Sequence, residues 1–315
     1  MNILITGGAG FIGSHIAEYF NEEGHQVFIL DNLSTGDIKN IPFINKENFF
    51  NMDIREHKKV EEITKKYQFD IIVHLAAVVS VVDTVSDPIT SNQVNVNATL
   101  NLLEINRHFN KNIKRIIFAS SAAVYGNDPS LPKTTDSMIQ PESPYAIQKY
   151  AGEQYFKLYN NLYSIPTVSL RFFNIYGPRQ NPQSPYSGVL SILKSKFDND
   201  ETFTFYGDGS QTRDFVYVKD LVKSVSLVCD NDSALGNVYN VGSGTPNSLM
   251  EIFKTFEKHY NKEISYTFKE ERLGDVKHSL ADIGSLEKIG YIPTYSIEKG
   301  LSEYLKSENN DTQDV

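Results

Sequence analysis

"NILITGGAGFIGSHIA", residues 2–17, joins a short β-rich run to a glycine-rich turn and then to a helix-forming stretch. Gly8, Gly10 and Gly13 give G-x-G-x-x-G, and Gly7, Gly10 and Gly13 give G-x-x-G-x-x-G. Glycines allow a turn its unusual dihedral angles, and they let the backbone approach a pyrophosphate at the positive end of the following helix. The next β-rich run, "QVFIL" (26–30), ends at Asp31, 18 residues beyond Gly13. A carboxylate there accepts from the adenosine ribose hydroxyls and repels a 2′-phosphate, which favours NAD over NADP. Asp53, closing "NFFNMD", fits an adenine contact and equally fits a cap for the helix that starts near Arg55.

Working outward, further strand patterns fall at 48–52, 70–76, 115–120 and 167–173, with helical patterns at 11–23, 55–67, 89–109 and 144–163. Most of the strand runs are almost continuously apolar, as strands buried on both faces require. The alternation predicts an α/β fold: a Rossmann-type parallel sheet flanked by helices. After Asn174 the pattern breaks up around Pro178, Pro182 and Pro185, then resumes with a helix at 187–197, strands near 203–206 and 215–218, and helices near 219–229 and 248–259. Residues 1–174 are therefore expected to form the dinucleotide-binding domain. Residues 175–308 form a smaller α+β substrate-binding cap, with some elements returning to the first sheet, and 309–315 a disordered tail.

The chain has 315 residues and a net charge of −9, so no basic excess exists to bind nucleic acid or an anionic membrane. One cysteine, Cys229, excludes a disulfide framework and a cysteine-rich zinc site, and no metal is expected. No apolar run approaches a membrane span, and the strand run begins at residue 2. A cytoplasmic protein is expected.

The reactive groups lie in "SSAAVYG" (120–126) and "SPYAIQKYAGEQY" (143–155). Tyr145 and Lys149, four apart on a helix, project from one face. A phenol titrates near ~10, so action as a base at neutral pH needs a drop of about 3 units. A neighbouring ammonium and a positive nicotinamide ring both favour the phenolate.

The ordered series "TGGAGFIGS", "LAAVVSV", "SSAAVYG", "SPYAIQKY", "RFFNIYGPRQNP", "GDGSQTRDFVYV" and "RLGDVKHSLAD" covers almost the whole chain. It resembles the extended short-chain dehydrogenase/reductase family, specifically the nucleotide-sugar 4-epimerases acting on UDP-N-acetylglucosamine or UDP-glucose. The resemblance implies that Tyr145 is the catalytic acid/base, that Lys149 lowers its pKa and binds the nicotinamide ribose, and that Ser121 bonds the sugar 4-oxygen. It places cofactor contacts at Phe11, Ile12, Asp31, Asn32, Leu33, Ser34, Thr35, Gly36, Asp53, Ile54, Leu75, Ala76, Ala77 and Val79. Phe173 matches a nicotinamide-pocket position. Asn95 is a further match, although helical packing accounts for any asparagine of "NQVNVNAT".

On the substrate side, Arg213 and Arg272 match diphosphate ligands, Asp275 a nucleoside-ribose ligand, and Asn174 a diphosphate or sugar contact. Guanidinium forks suit phosphate oxygens. Ser80, Ala122, Gln180, Gly188 and Val189 match the sugar pocket. Ser279, seven residues after Arg272, stands where relatives restricted to plain hexoses carry a tyrosine; a serine leaves space for a 2-acetamido group, unless it merely packs beside the cofactor. Two departures oppose this: Asp83 replaces an arginine frequent in relatives, and Val79 is bulkier than the glycine of some acetamido-specific ones. Ala122 and Ala123 occupy the positions where sugar dehydratases carry Asp-Glu, so a keto sugar meets no acid that drives elimination. The expectation is a UDP-sugar 4-epimerase with tightly held NAD, with UDP-glucuronate 4-epimerisation, a dehydratase or decarboxylase, or a non-catalytic NAD sensor as alternatives. A homodimer through helices 89–109 and 144–163 is implied by the same resemblance.

Overall fold

The computed structural model describes residues 1–180, 188–271 and 276–311. Its first part alternates β1 (Asn2–Thr6), α1 (Phe11–Glu22), β2 (Gln26–Asp31), β3 (Phe49–Asn51), α2 (His57–Tyr67) and β4 (Ile71–His74). There follow α3 (Val81–Ser86), α4 (Pro88–Asn92), α5 (Ala98–Phe109), β5 (Arg115–Ser121), α6 (Pro144–Tyr163) and β6 (Thr167–Phe172). The remainder comprises β7 (Asn174–Tyr176), α7 (Val189–Asp198), β8 (Phe203–Tyr206), β9 (Thr212–Tyr217), α8 (Val218–Asp230) and β10 (Val238–Val241). It ends with β11 (Pro246–Ser248), α9 (Leu249–Tyr260), β12 (Tyr266–Lys269), α10 (Gly284–Glu287) and α11 (Ile297–Asp311).

Seven parallel strands form one sheet in the order β10–β6–β5–β4–β1–β2–β3. Their continuous apolar runs serve two cores. Ile3 and Ile5 face one, with Ile117 and Leu170, and Leu4 faces the other, with Ile72 and Ile116. Each such buried side chain stabilises by about 1.5–3 kcal/mol. The chain leaves β1 toward β2 in one direction and returns to β4 on the other side. That reversal opens a crevice at the carboxyl ends of β1 and β4, where open α/β sheets bind their ligands.

The helical pattern at 89–109 is interrupted. Asp87 caps α4 by accepting from Thr90 N at 3.0 Å, with Pro88 in the first position, and a wide turn at Gln93–Asn97 precedes α5. The wide turn aims Asn95 inward, for a reason given below. α6 matches its pattern: Ser143 accepts from Ala146 N at 3.2 Å, Pro144 opens the helix, and Ser164 ends it in the left-handed region.

β10 was not anticipated, because "VYNV" is too short to announce itself. It pairs with β6 and extends the main sheet. α8 packs on that sheet beside α1, and α10 packs against β10. The remaining C-terminal elements make a small three-stranded sheet (β11–β9–β7) and a two-stranded one (β12–β8) around a third core containing Leu193, Phe197, Phe205, Phe253 and Phe256. The last helix runs to Asp311, into the segment expected to be a tail.

Candidate active site

The glycine turn is shaped by contacts that forbid side chains. A Cβ on Gly13 meets Gly7 O at 2.3 Å, and one on Gly7, whose φ is +71°, meets Ala76 N at 2.9 Å. α1 follows Gly10, which offers no side-chain cap, and has no acid in its first turn. The first N–H groups of a helix have no intrahelical partner, so this end, at Phe11 and Ile12, suits an anion. Their side chains point elsewhere: Ile12 packs on the sheet core and Phe11 on the cap core. Asp31, at the end of β2, is 7% exposed. Its carboxylate accepts from Ala9 N at 3.0 Å and Leu33 N at 2.8 Å. A carboxylate has about four acceptor positions, so two remain for ribose hydroxyls. Burial raises its pKa, opposed by the bonds from Leu33 and Ala9.

The loop that follows folds back on the turn. Gly36 lies against Ala9, Leu33 adopts a positive φ, and Asn32 joins Ser34 N to Asp53. Thr35 is exposed. Asp53 is gripped by Arg55 through Nε and Nη2 at 2.9 Å each, and those bonds hold its pKa down to about 2. Ile54 is buried in the second core. These residues fit a dinucleotide: a sterically cleared turn, an uncapped helix end and a carboxylate with spare acceptors converge at the crevice.

Thr6 and His74 set the next loop. Thr6 Oγ1 lies 2.7 Å from His74 Nδ1 and accepts from Leu75 N and Ala76 N at 3.2 Å each. His74 Nε2 meets Thr99 Oγ1 at 2.9 Å, and Thr99 donates to Asn95 O. The ring is therefore neutral with its proton on Nε2, and burial lowers its pKa to about 3. Asn95, which the resemblance matches to a cofactor contact, bonds to the protein in this structure. Its Oδ1 accepts from Val78 N at 2.8 Å, and its Nδ2 donates to Val78 O and to Gln148 Oε1. It thereby fixes the loop carrying Ala77 and Val79. Val79 is 54% exposed. Ser80 is buried and caps α3 by accepting from Asp83 N at 2.8 Å.

The end of β5 and the start of α6 bring the reactive groups together. Tyr145 lies beside Ser121, whose Oγ accepts from Ala123 N at 3.2 Å. Burial raises the Tyr145 pKa, and the Ser121 bond opposes that rise. Lys149 Nζ donates to Ala119 O at 2.9 Å and lies 5.9 Å from the Tyr145 ring centroid. Burial lowers its pKa to about 8. Ala122 and Ala123 follow in a tight turn and bring no ionisable group.

Beneath this centre is a network the sequence reading missed. Ser120 donates to Glu153 Oε2 at 3.0 Å, and Arg171 binds both Glu153 oxygens, at 2.9 and 2.6 Å. Arg171 also reaches Tyr125 OH at 2.7 Å, and that hydroxyl donates to Asn240 Oδ1 on β10. The available signal was spacing: Glu153 continues the Tyr145–Lys149 stripe by four more residues.

Phe172 pairs with Ser121 across the sheet, and buried Phe173 leads directly into β7. There a cavity of about 420 Å³ opens, lined by Asn174, Gln180, Gly188, Val189 and Arg213 together with Thr204, Tyr206 and Phe215. Five substrate-side residues expected from the sequence thus share one cavity; Thr204, Tyr206 and Phe215 were not foreseen. Ser279 does not line it. The backbone N of Ser279 donates to Thr212 O at 3.0 Å, one residue from Arg213. Arg272 and Asp275 lie outside the described residues.

The family model for the NAD dependent epimerase/dehydratase family matches residues 3–242. A curated relative from Methanocaldococcus jannaschii, described as a putative UDP-glucose 4-epimerase, is 38% identical over 98% of this chain and 99% of its own. The solved UDP-N-acetylglucosamine 4-epimerase of Methanobrevibacter ruminantium, in complex with UDP-N-acetylmuramic acid, superposes with a TM-score of 0.92 at 38% identity, covering 98% of both chains. The UDP-glucose 4-epimerase of Thermotoga maritima with UDP-glucose gives 0.91 at 33%, over 99% of this chain and 100% of that one. The chain belongs to the NAD dependent epimerase/dehydratase family.

Proposed function

We propose that this protein is a UDP-sugar 4-epimerase that interconverts UDP-N-acetylglucosamine and UDP-N-acetylgalactosamine and also accepts UDP-glucose and UDP-galactose. The observation that carries the reading is the cluster of Ser121 at the end of β5 and Tyr145 at the start of α6, with Lys149 one helical turn from Tyr145 and two alanines, not acids, after Ser121. When bound, NAD supplies reversible oxidation at C4, and its positive ring favours the phenolate form of the nearby tyrosine.

In this reading Ser121 bonds the sugar 4-oxygen and passes its proton to Tyr145, which later returns it. Tyr145 is a phenol in the cofactor-free protein, since burial raises its pKa; its ionisation therefore belongs to the loaded state. Lys149, held by Ala119 O, is placed to bind ribose hydroxyls and to add positive charge. Arg213 holds the diphosphate at the cavity while the keto sugar turns over, and the resemblance assigns Arg272 as a second diphosphate ligand. Ser80, Ala122, Gln180, Gly188 and Ser279 are uncharged, which favours a neutral sugar over a uronate.

A second copy of the chain is the expected partner. Ile147, Leu158 and Leu162 form an exposed apolar stripe along α6, with Phe109 exposed at the end of α5.

The test is a rate comparison on UDP-N-acetylglucosamine, UDP-glucose and UDP-glucuronate without added NAD, following C4 inversion by NMR. Turnover of the first two supports the proposal. Turnover of the uronate alone, or of none after NAD loading, overturns it.

A further inference from the structure

Asp214 sits between two residues that line the nucleotide-sugar cavity, Arg213 and Phe215 on β9. Side chains alternate along a strand, so Asp214 points away from the cavity. It is fully buried. Its carboxylate accepts from Ser243 N at 2.6 Å, Ser243 Oγ at 2.7 Å, Gly244 N at 3.1 Å and Ala281 N at 3.1 Å. Those four donors fill the acceptor capacity of a carboxylate. The seam is tight: a Cβ on Gly242 meets Ala281 Cβ at 2.3 Å and Asp214 Oδ2 at 2.8 Å.

The donors come from two segments that β9 must hold in register. One is the turn after β10. The other runs from Lys277 to Ala281 and lies along β9 through Thr212 N to Lys277 O at 3.1 Å and Ser279 N to Thr212 O at 3.0 Å. Ser279 is two residues from the Ala281 amide that Asp214 captures. The Asp214 carbonyl also accepts from Asn174 Nδ2 at 3.2 Å. One residue that does not line the cavity thus ties together Arg213, Asn174 and the segment bearing Ser279.

We propose that Asp214 is a positioning residue for sugar selection: it sets the separation between the diphosphate grip on β9 and the segment bearing Ser279, and so decides how well the site distinguishes substituents on the sugar. The inference rests on the UDP-sugar reading above. Asp214→Asn keeps the shape but turns an NH₂ toward backbone donors, which releases the Ala281 or Gly244 amide.

The experiment measures kcat and KM of the NAD-loaded Asp214→Asn enzyme on UDP-N-acetylglucosamine and UDP-glucose, together with bound NAD. The expected result is a KM rise that exceeds the kcat loss, normal NAD content, and a kcat/KM ratio between the two sugars that moves about tenfold toward one. A general loss of folded protein lowers both rates in proportion and leaves the ratio fixed, so an unchanged ratio overturns the inference. If Asp214→Asn does not fold, Ser243→Ala removes one donor and must still move the ratio, by a smaller factor; no movement overturns the inference. A wild-type enzyme inactive on every UDP-sugar overturns the underlying reading instead, before any variant is made.

Discussion

Two buried carboxylates, Glu153 and Asp214, sit under the two halves of the site and are satisfied in opposite ways. Glu153 faces a guanidinium, with both oxygens on Arg171 and a third bond from Ser120. Asp214 instead accepts from three backbone N–H groups and one hydroxyl. The first joins β5, β6 and α6, elements already fixed by the parallel sheet. The second joins a strand to two loops that no sheet orders. A charge pair reinforces what packing has placed, whereas a set of dipoles places what packing leaves loose.

The sharpest way to break this contrast is to orphan the first carboxylate. Arg171→Met leaves Glu153, 1% exposed, without its cation. It should destabilise the fold by about 3–5 kcal/mol in urea unfolding, with much of that loss recovered in the Glu153→Met/Arg171→Met pair. Asp214 has no equivalent, since its partners are mainly backbone. Recovery absent from the double variant would mean that the pair carries specificity rather than a removable charge cost.

Next in size is Tyr145→Phe, which tests the catalytic half without disturbing its frame. Epimerisation should fall by about 10³-fold, while unfolding and NAD content stay near wild type. A loss of NAD with the activity would show that Tyr145 holds cofactor more than it moves protons.

Lys149 supplies the third test. Burial lowers its pKa from 10.5 to about 8, so between those values the unfolded chain binds more protons than the folded one. Stability of the cofactor-free protein should therefore rise from pH 8 toward 10.5, by up to about 3 kcal/mol, and the burial cost stands in full below pH 8. Lys149→Met should flatten that slope, measured by urea midpoints across the range.

The same contrast explains what the sequence disclosed. Runs such as "NILIT" and "RIIFA" are read easily because burial on both faces demands continuous apolar residues, and the glycine turn is legible because a Cβ at Gly13 meets Gly7 O at 2.3 Å. Tyr145 and Lys149 follow from helical spacing. β10 stayed hidden: four residues with Asn240 facing a buried hydroxyl do not look like a strand. Asn95 drew two readings from the sequence, a cofactor match and helical packing, and its bonds to Val78 and Gln148 supply a packing role. Asp214 was invisible for the opposite reason, since "TRDF" offers an arginine that draws the reading and an acid whose partners lie some 29 and 67 residues away.

The smallest expected effect is also the most selective. Ser279 is half-buried and bonds through its backbone, N to Thr212 O, so changing its side chain leaves the segment anchored. Ser279→Tyr adds a ring where the reading places the C2 substituent of the sugar. kcat/KM on UDP-N-acetylglucosamine should drop about 10–100-fold while that on UDP-glucose changes by less than about threefold, as a filled pocket rejects the larger group. This shifts the sugar ratio by bulk, where Asp214→Asn shifts it by releasing the segment that carries Ser279. Combining the two should give less discrimination than Ser279→Tyr alone, because a tyrosine on a loosened segment can swing aside. Additive effects would mean that the segment and its anchor act independently, and equal losses on both sugars from Ser279→Tyr would move the selective surface elsewhere in the cap.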